Sequence, residues 1–175
     1  MASQMNVADT PVARRVRTYA QTVYSDGIWA GLAAAVTLAV WFLVVDLIDG
    51  RPLYTPTVLG TALFGRGEGL TTPEVLPTSF EMILGFTWVH ALVFLLIGMG
   101  ASRLLAVAER NPHVGFGVAL LFVLFEGGYL SAVMLFAQPL LHAVAWPTVV
   151  VGNLLAAIAM AGVLWRRHPS LRIRP

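Results

Sequence analysis

Four long runs of apolar residues, almost free of charged side chains, constrain this chain more than any other feature of its sequence. They cover residues 28–48, 82–102, 114–137 and 143–165. A helix needs about 20 consecutive apolar residues to cross the hydrocarbon core of a bilayer, and each run reaches that length. The runs also lack the period-two alternation of half-buried strands. The sequence therefore predicts an all-α integral membrane protein with four transmembrane helices.

The composition agrees with a membrane protein and excludes several soluble classes. Apolar residues make up 58% of the 175 residues and charged residues 11%, whereas about a quarter of a soluble domain is charged. The net charge of +2 comes from arginines beside the apolar runs, which is typical of topology signals rather than of a nucleic-acid surface. No nucleic-acid partner is expected. Because the sequence contains no cysteine, it cannot form iron–sulfur clusters, thiolate metal sites or dithiol motifs from its own side chains.

The distribution of arginines predicts the orientation of the helices. Nine of the eleven arginines lie before the first run, after the second run or after the fourth run, which all fall on one side of the membrane. Only Arg51 and Arg66 lie on the opposite side. By the positive-inside rule, both termini of this multi-pass protein are predicted to be cytoplasmic.

The segments before and after the spans are predicted to be cytoplasmic tails, at residues 1–26 and 167–175, around a transmembrane domain at 27–166. Thr10-Pro11 is a helix-start signal, and the apolar residues behind it recur at spacings of three and four. This pattern favours a short amphipathic helix on the membrane surface, and a simple N-terminal extension of the first span is the alternative. Three arginines before a run without a cleavage pattern favour an uncleaved signal-anchor.

The outer loop at residues 49–79 contains a second helical signal. Thr55-Pro56 precedes the apolar stretch 58–64, which ends at Gly65. That stretch is too short to cross a bilayer, so it predicts a short helix or a re-entrant segment.

Polar side chains inside the spans are the first candidates for function, because they are costly in a bilayer. His90, Glu126 and Asn153 each lie 13 residues from a cytoplasmic marker residue, a depth of about 20 Å. Tyr129 lies one turn after Glu126 on the same helix face. The three levels match, which predicts a mid-membrane polar cluster. Three interpretations stay open: a hydrogen-bonded structural clamp, a proton or cation site, or no mutual contact.

A second pair of charged residues lies near the outer surface. Asp46 and Arg51 flank the turn after the first run, and we expect an ion pair that anchors the outer loop rather than a ligand site. No catalytic motif or cofactor is predicted, and the identity of any metal is open. A bis-His haem is disfavoured because His90 and His142 differ in depth by about 12 Å or more.

Small residues at helical spacing predict where helices approach closely, either within the chain or between copies. The predicted packing positions are Gly27, Gly31, Ala35, Gly98, Ala157 and Ala161.

Two stretches carry a resemblance to known proteins. They read WFLVVDLIDGRPLYTP at residues 41–56, and GNLLAA at 152–157 leading to RRHP at 166–169. They resemble a group of small four-helix bacterial integral membrane proteins. The resemblance implies the four-helix fold and an inner-membrane location, and it implies no activity.

Three functions are compatible with these features. The first is a non-catalytic subunit or scaffold of a membrane complex, which has no need of a soluble domain. The second is a small oligomeric transporter or proton-coupled carrier that uses Glu126 and His90. The third is a membrane enzyme of unknown type. The expected partners are the lipid bilayer and other membrane subunits or further copies of the chain.

Overall fold

A computed structural model describes residues 11–65, 76–110 and 146–168, and the regular structure within these ranges is helical. The described helices are α1 (Pro11–Ile48), α2 (Tyr54–Phe64), α3 (Phe80–Arg110) and α4 (Trp146–Arg167). Three of them contain segments long and apolar enough to cross a membrane, which are Gln21–Ile48, Phe80–Glu109 and Pro147–Arg167. The predicted helices at 28–48 and 82–102 lie within these segments and are confirmed. The helix predicted at 143–165 is confirmed from Trp146 onward, because residues 143–145 lie outside the described residues. The predicted span at 114–137 lies outside the described residues.

α1 is one uninterrupted helix of 38 residues that begins at Pro11. Proline suits the first helical position because its fixed φ is helical and its missing N–H has no helical partner there. The amphipathic helix predicted within 1–26 is therefore not a separate element in the described part of that segment. The alternative, an N-terminal extension of the first span, fits the structure. Asp26-Gly27 does not interrupt the helix, because both residues are buried against other helices.

α1 and α3 pack antiparallel through glycines. A Cβ atom built on Gly27 would lie 2.5 Å from Cα of Met99, and one built on Gly31 would lie 2.3 Å from the carbonyl oxygen of Phe94. Further along the pair, the hydroxyl of Ser102 donates to the carbonyl oxygen of Val23 at 2.7 Å. The two backbones thus approach as closely as small-residue interfaces in membranes allow.

α1 and α4 also run antiparallel. Near one end of the pair, the indole Nε1 of Trp41 donates to the carbonyl oxygen of Thr148 at 2.9 Å. Gly152 leaves room for this indole, since a Cβ atom there would lie 2.7 Å from Cδ1 of Trp41. Small and apolar residues at spacing of about four fill the rest of the interface, which comprises Ala30, Ala34, Leu38, Ala156, Met160 and Leu164. Because α3 and α4 both oppose α1, they run in the same direction.

α2 lies between the end of α1 and the start of α3. Gly50 makes the turn with a φ of 69°, and Leu53 adopts a left-handed φ of 64° just before α2 begins. Gly60 packs against α3, because a Cβ atom there would lie 2.3 Å from the carbonyl oxygen of Met82. α3 itself begins after Ser79, whose hydroxyl accepts a hydrogen bond from the Met82 N–H at 3.4 Å. The outer-loop stretch is thus a short helix packed on the bundle.

The outward surface of α3 is apolar. Its large side chains at spacing four are exposed, namely Phe80, Leu84, Trp88, Leu92 and Leu96. No other described residue covers this stripe. A contiguous apolar face of this length is costly in water and favourable in lipid, so the exposure pattern supports the same membrane setting as the hydropathy.

Candidate functional site

Among the described residues, the densest group of charged side chains lies where α1, α3 and α4 meet at their arginine-bearing end. We call it the terminal clasp, defined by Asp26 of α1, Glu109 of α3, and Arg167 and His168 at the end of α4. Asp26 is buried inside the bundle, with a side chain 6% exposed, whereas Arg167 is 40% exposed. The clasp therefore joins a buried carboxylate to a cation that reaches the surface.

The geometry of the terminal clasp links all three helices. Arg167 Nη1 donates to Oδ1 of Asp26 at 2.7 Å. The imidazole of His168 lies between two carboxylates, with Nδ1 at 3.1 Å from Oε1 of Glu109 and Nε2 at 3.6 Å from Oδ2 of Asp26. Nε2 is buried, and no described residue hydrogen-bonds to it. A protonated ring can direct one N–H to each carboxylate, whereas a neutral ring can donate only to one of them.

The end of α4 positions Arg167 and His168 in the terminal clasp. Arg166 and Arg167 occupy the last turn of α4, where cations interact favourably with the carbonyl end of the helix dipole. The His168 N–H donates to the carbonyl oxygen of Leu164 at 2.9 Å, which continues the helical pattern by one residue. His168 is thereby turned into the bundle rather than out into solvent.

Half-way along the bundle, His90 of α3 contacts the backbone of α1. Its Nε2 lies 3.1 Å from the carbonyl oxygen of Ala35, so this nitrogen carries the proton and donates. The rings of Phe86 and Phe94 flank the imidazole, at centroid distances of 5.6 and 4.8 Å. His90 therefore makes an interhelical hydrogen bond in an aromatic setting.

The other members of the predicted mid-membrane cluster are only partly placed. Asn153 is half-buried on α4, and its side chain makes no hydrogen bond to another described residue. Glu126 and Tyr129 lie outside the described residues. A shared cluster of the four residues stays a prediction.

At the opposite end of α1, Asp46 joins α2 to the bundle. Its Oδ2 accepts from the backbone N–H of Thr55 at 2.8 Å, and its Oδ1 accepts from the Thr55 hydroxyl at 2.6 Å. Asp46 thus caps the first turn of α2 from a neighbouring helix. No Asp46–Arg51 ion pair is found between these two described residues: the guanidinium of Arg51 lies 4.0 Å from the ring centroid of Tyr54. The anchoring role expected of Asp46 is retained with a different partner, because its carboxylate is already bound by two donors of α2.

The predicted packing glycines meet at one place. Gly27, Gly31 and Gly98 all lie at the α1–α3 contact, together with buried Ala35. The predicted ridge on α4 is displaced by one residue: Ala157 is half-buried and Ala161 exposed. The α4 residues that face the core are Gly152 and the series that starts at Ala156. A one-residue shift rotates a helix face by about 100°, which apolar composition alone does not reveal.

No group of three or more His, Asp or Glu side chains suited to holding a metal ion occurs in the three described ranges. The expectations on metals and cofactors stay predictions.

Sequence reasoning missed the terminal clasp. It placed Asp26 and His168 in the predicted tails and interpreted Arg167 as a topology signal. One signal was available, since a carboxylate beside a small-residue ridge at the start of a span needs a cationic partner if it is buried. The arginines at the same predicted depth as Asp26 are those that follow the other spans.

Comparisons with known proteins give one partial similarity. No protein family matches this sequence, and no solved structure matches it. The thiol:disulfide interchange protein DsbD of Colwellia psychrerythraea (strain 34H) is 29% identical to it over 90 residues. Those residues are 50% of this chain and 15% of that protein.

The matched relative is named for thiol–disulfide chemistry, and this chain spans only a small part of its length. Thiol–disulfide interchange requires a thiolate to attack a disulfide sulfur. Because this sequence contains no cysteine, its own side chains cannot perform that step. The similarity specifies no activity for this chain.

Proposed function

We propose that this chain is a non-catalytic subunit or scaffold of a bacterial inner-membrane complex. The observation that carries the proposal is that three polar side chains in the described part of the bundle bind neighbouring helices. His90 donates to the backbone of α1, Asp46 binds α2, and Asp26 binds the end of α4. These bonds join helices to one another, as interhelical hydrogen bonds do in structural membrane bundles. Groups engaged in this way stabilise a bundle and leave little free for substrate chemistry.

We further propose four crossings with both termini in the cytoplasm. The direction of the described helices supports this, because α3 and α4 both run antiparallel to α1. A chain that leaves α3 at Arg110 and enters α4 at Trp146 therefore has to cross the membrane an odd number of times between them. The single apolar run 114–137 in that interval supplies one crossing. The terminal clasp lies at the arginine-rich end, which the positive-inside rule assigns to the cytoplasm.

Cysteine labelling tests this topology cleanly, since the chain has no cysteine of its own. Single variants Gln4→Cys and Ile173→Cys are expected to resist a membrane-impermeant maleimide in spheroplasts and to react after the inner membrane is permeabilised. Thr78→Cys, at an exposed position before α3, is the matched control and is expected to react in intact spheroplasts. Labelling of either terminal variant in intact spheroplasts contradicts the proposed topology.

The scaffold function predicts a stoichiometric partner. The tagged chain, extracted gently from native membranes, is expected to carry at least one other membrane protein at a fixed ratio, measured by native mass spectrometry. Removing the chain is expected to reduce the assembled form of that partner. His90→Leu is expected to preserve the complex and to weaken the bundle only slightly, by about 1 kcal/mol, because it removes one interhelical hydrogen bond.

The carrier alternative gives the opposite result in the same experiment. It predicts recovery of the chain alone, as a homo-oligomer, with pH-dependent flux in proteoliposomes. That flux would fall on His90→Leu although the protein remains folded. Recovery alone combined with such flux overturns the scaffold proposal.

A further inference from the structure

An open groove runs between α1 and α4 next to the terminal clasp, with a volume of about 570 Å³. Its floor includes Leu32 and Val36 of α1 and Val163 of α4, and Trp29, Arg166 and Arg167 stand at its mouth. Leu32 and Val36 belong to the exposed apolar surface of the bundle. The groove therefore opens sideways, toward the lipid, rather than into the centre of the bundle.

The floor of the groove offers no free polar group from α1. The hydroxyl of Thr37, the one polar side chain there, donates to the carbonyl oxygen of Ala33 within its own helix at 2.8 Å. From Trp29 to Thr37 the groove follows α1 for about 12 Å along the helix axis. An open apolar groove that follows a helix over this length matches an extended hydrocarbon chain better than a compact polar ligand.

The mouth of the groove is cationic and aromatic. Arg166 is exposed and makes no ion pair or hydrogen bond with another described residue. Arg167 uses one nitrogen for Asp26, which leaves further N–H donors of its planar guanidinium. The indole of Trp29 is 53% exposed, and the guanidinium carbon of Arg167 lies 6.0 Å from its ring centroid. Tryptophan and arginine at the end of a span are typical of the level at which lipid headgroups lie.

We propose that this groove binds one anionic phospholipid, with its phosphate at Arg166 and Arg167 and one acyl chain along Leu32 and Val36. Arginine binds phosphate oxygens through paired N–H donors, so a phosphate at the mouth complements the charge of Arg166, which no described residue pairs. Basic pockets between transmembrane helices are suited to anionic lipid headgroups. The apolar floor selects a lipid over a soluble phosphate, because only a lipid fills both parts of the groove.

Native mass spectrometry of the full chain in detergent, with phosphatidylglycerol or phosphatidylcholine added, tests the site. The wild type is expected to retain one phosphatidylglycerol at least fivefold more strongly than phosphatidylcholine. Arg166→Gln is expected to reduce the affinity for phosphatidylglycerol about fivefold, since one arginine near a membrane surface contributes about that factor. Val36→Trp, which fills the floor from an exposed position, is expected to reduce retention of the lipid with the arginines intact.

The matched control is Arg103→Gln, at the same end of the bundle but on the α1–α3 side. There the guanidinium of Arg103 donates to the hydroxyl of Tyr24 at 2.6 Å and does not line the groove. Its lipid selectivity is expected to equal that of the wild type. If Arg103→Gln and Arg166→Gln reduce the affinity for phosphatidylglycerol equally, the proposal is overturned, because the lipid then responds to the general surface charge and not to this groove. Displacement of the lipid by millimolar glycerol 3-phosphate, or no selectivity in the wild type, also overturns it.

Discussion

Gly98→Ala is expected to disrupt the packing of α3 on α1 and to lower the free energy of unfolding by about 3 kcal/mol or more. The added Cβ atom would lie 2.3 Å from the carbonyl oxygen of Gly27, and 2.5 and 2.7 Å from N and Cα of Gly31. All three are backbone atoms, so no side chain can rotate to make room and the helices have to separate. Equilibrium unfolding in mixed micelles, followed by circular dichroism, measures the change.

Gly100→Ala is the matched control for this experiment. It lies on the same helix two residues away, and nothing is within 4 Å of a Cβ atom built there. Its stability is expected to stay the same or to rise by up to about 1 kcal/mol, because alanine favours helix over glycine. If the two variants have the same stability, the close contact between α1 and α3 is wrong.

Asp26→Asn is expected to lower the free energy of unfolding by about 2 kcal/mol. Breaking a fully buried ion pair costs about 3–5 kcal/mol. Here the loss is smaller because Arg167, with 40% of its side chain exposed, can be solvated after the carboxylate is gone. The same unfolding experiment, carried out in one detergent for all variants, measures the effect.

Asp49→Asn serves as the reference for removing one carboxylate charge. Asp49 is exposed at the turn after α1. Its substitution is expected to change the free energy of unfolding by no more than about 0.5 kcal/mol. Because Asp26 is buried, added salt is expected to reduce the loss of stability in Asp26→Asn only weakly. A loss for Asp26→Asn no larger than that for Asp49→Asn would contradict the role of the terminal clasp in holding the bundle.

The helical elements could be predicted well because local signals specify them. The spans follow from hydropathy, and the start of α1 follows from Pro11. A short helix or re-entrant segment was predicted at 58–64, and the structure has a helix there, α2, at Tyr54–Phe64, so its start lies a few residues earlier. That difference arises because Asp46, nine residues away in sequence, caps the first turn.

The partners of polar residues were harder to predict, because helical depth specifies a level and not a direction around the helix. His90 shares its predicted level with Asn153, yet its observed partner is a backbone carbonyl of α1. Backbone acceptors carry no sequence signature. Arg51 is likewise the opposite charge nearest to Asp46 in sequence, but Thr55 at the start of α2 donates two hydrogen bonds to the Asp46 carboxylate, at 2.8 and 2.6 Å.

The sequence by itself determined that this is a helical membrane protein, where its described spans lie, and that Gly27, Gly31 and Gly98 suit close packing. Those properties depend on local composition and on the small size of glycine, and neither depends on where the residue lies in the fold. Only the tertiary structure decided that α1 is continuous and that Asp26 meets Arg167 across 141 residues. It also decided that Gly152 and Ala156 of α4 face the core of the bundle. These depend on the rotation and direction of each helix against its neighbours, which hydropathy does not encode.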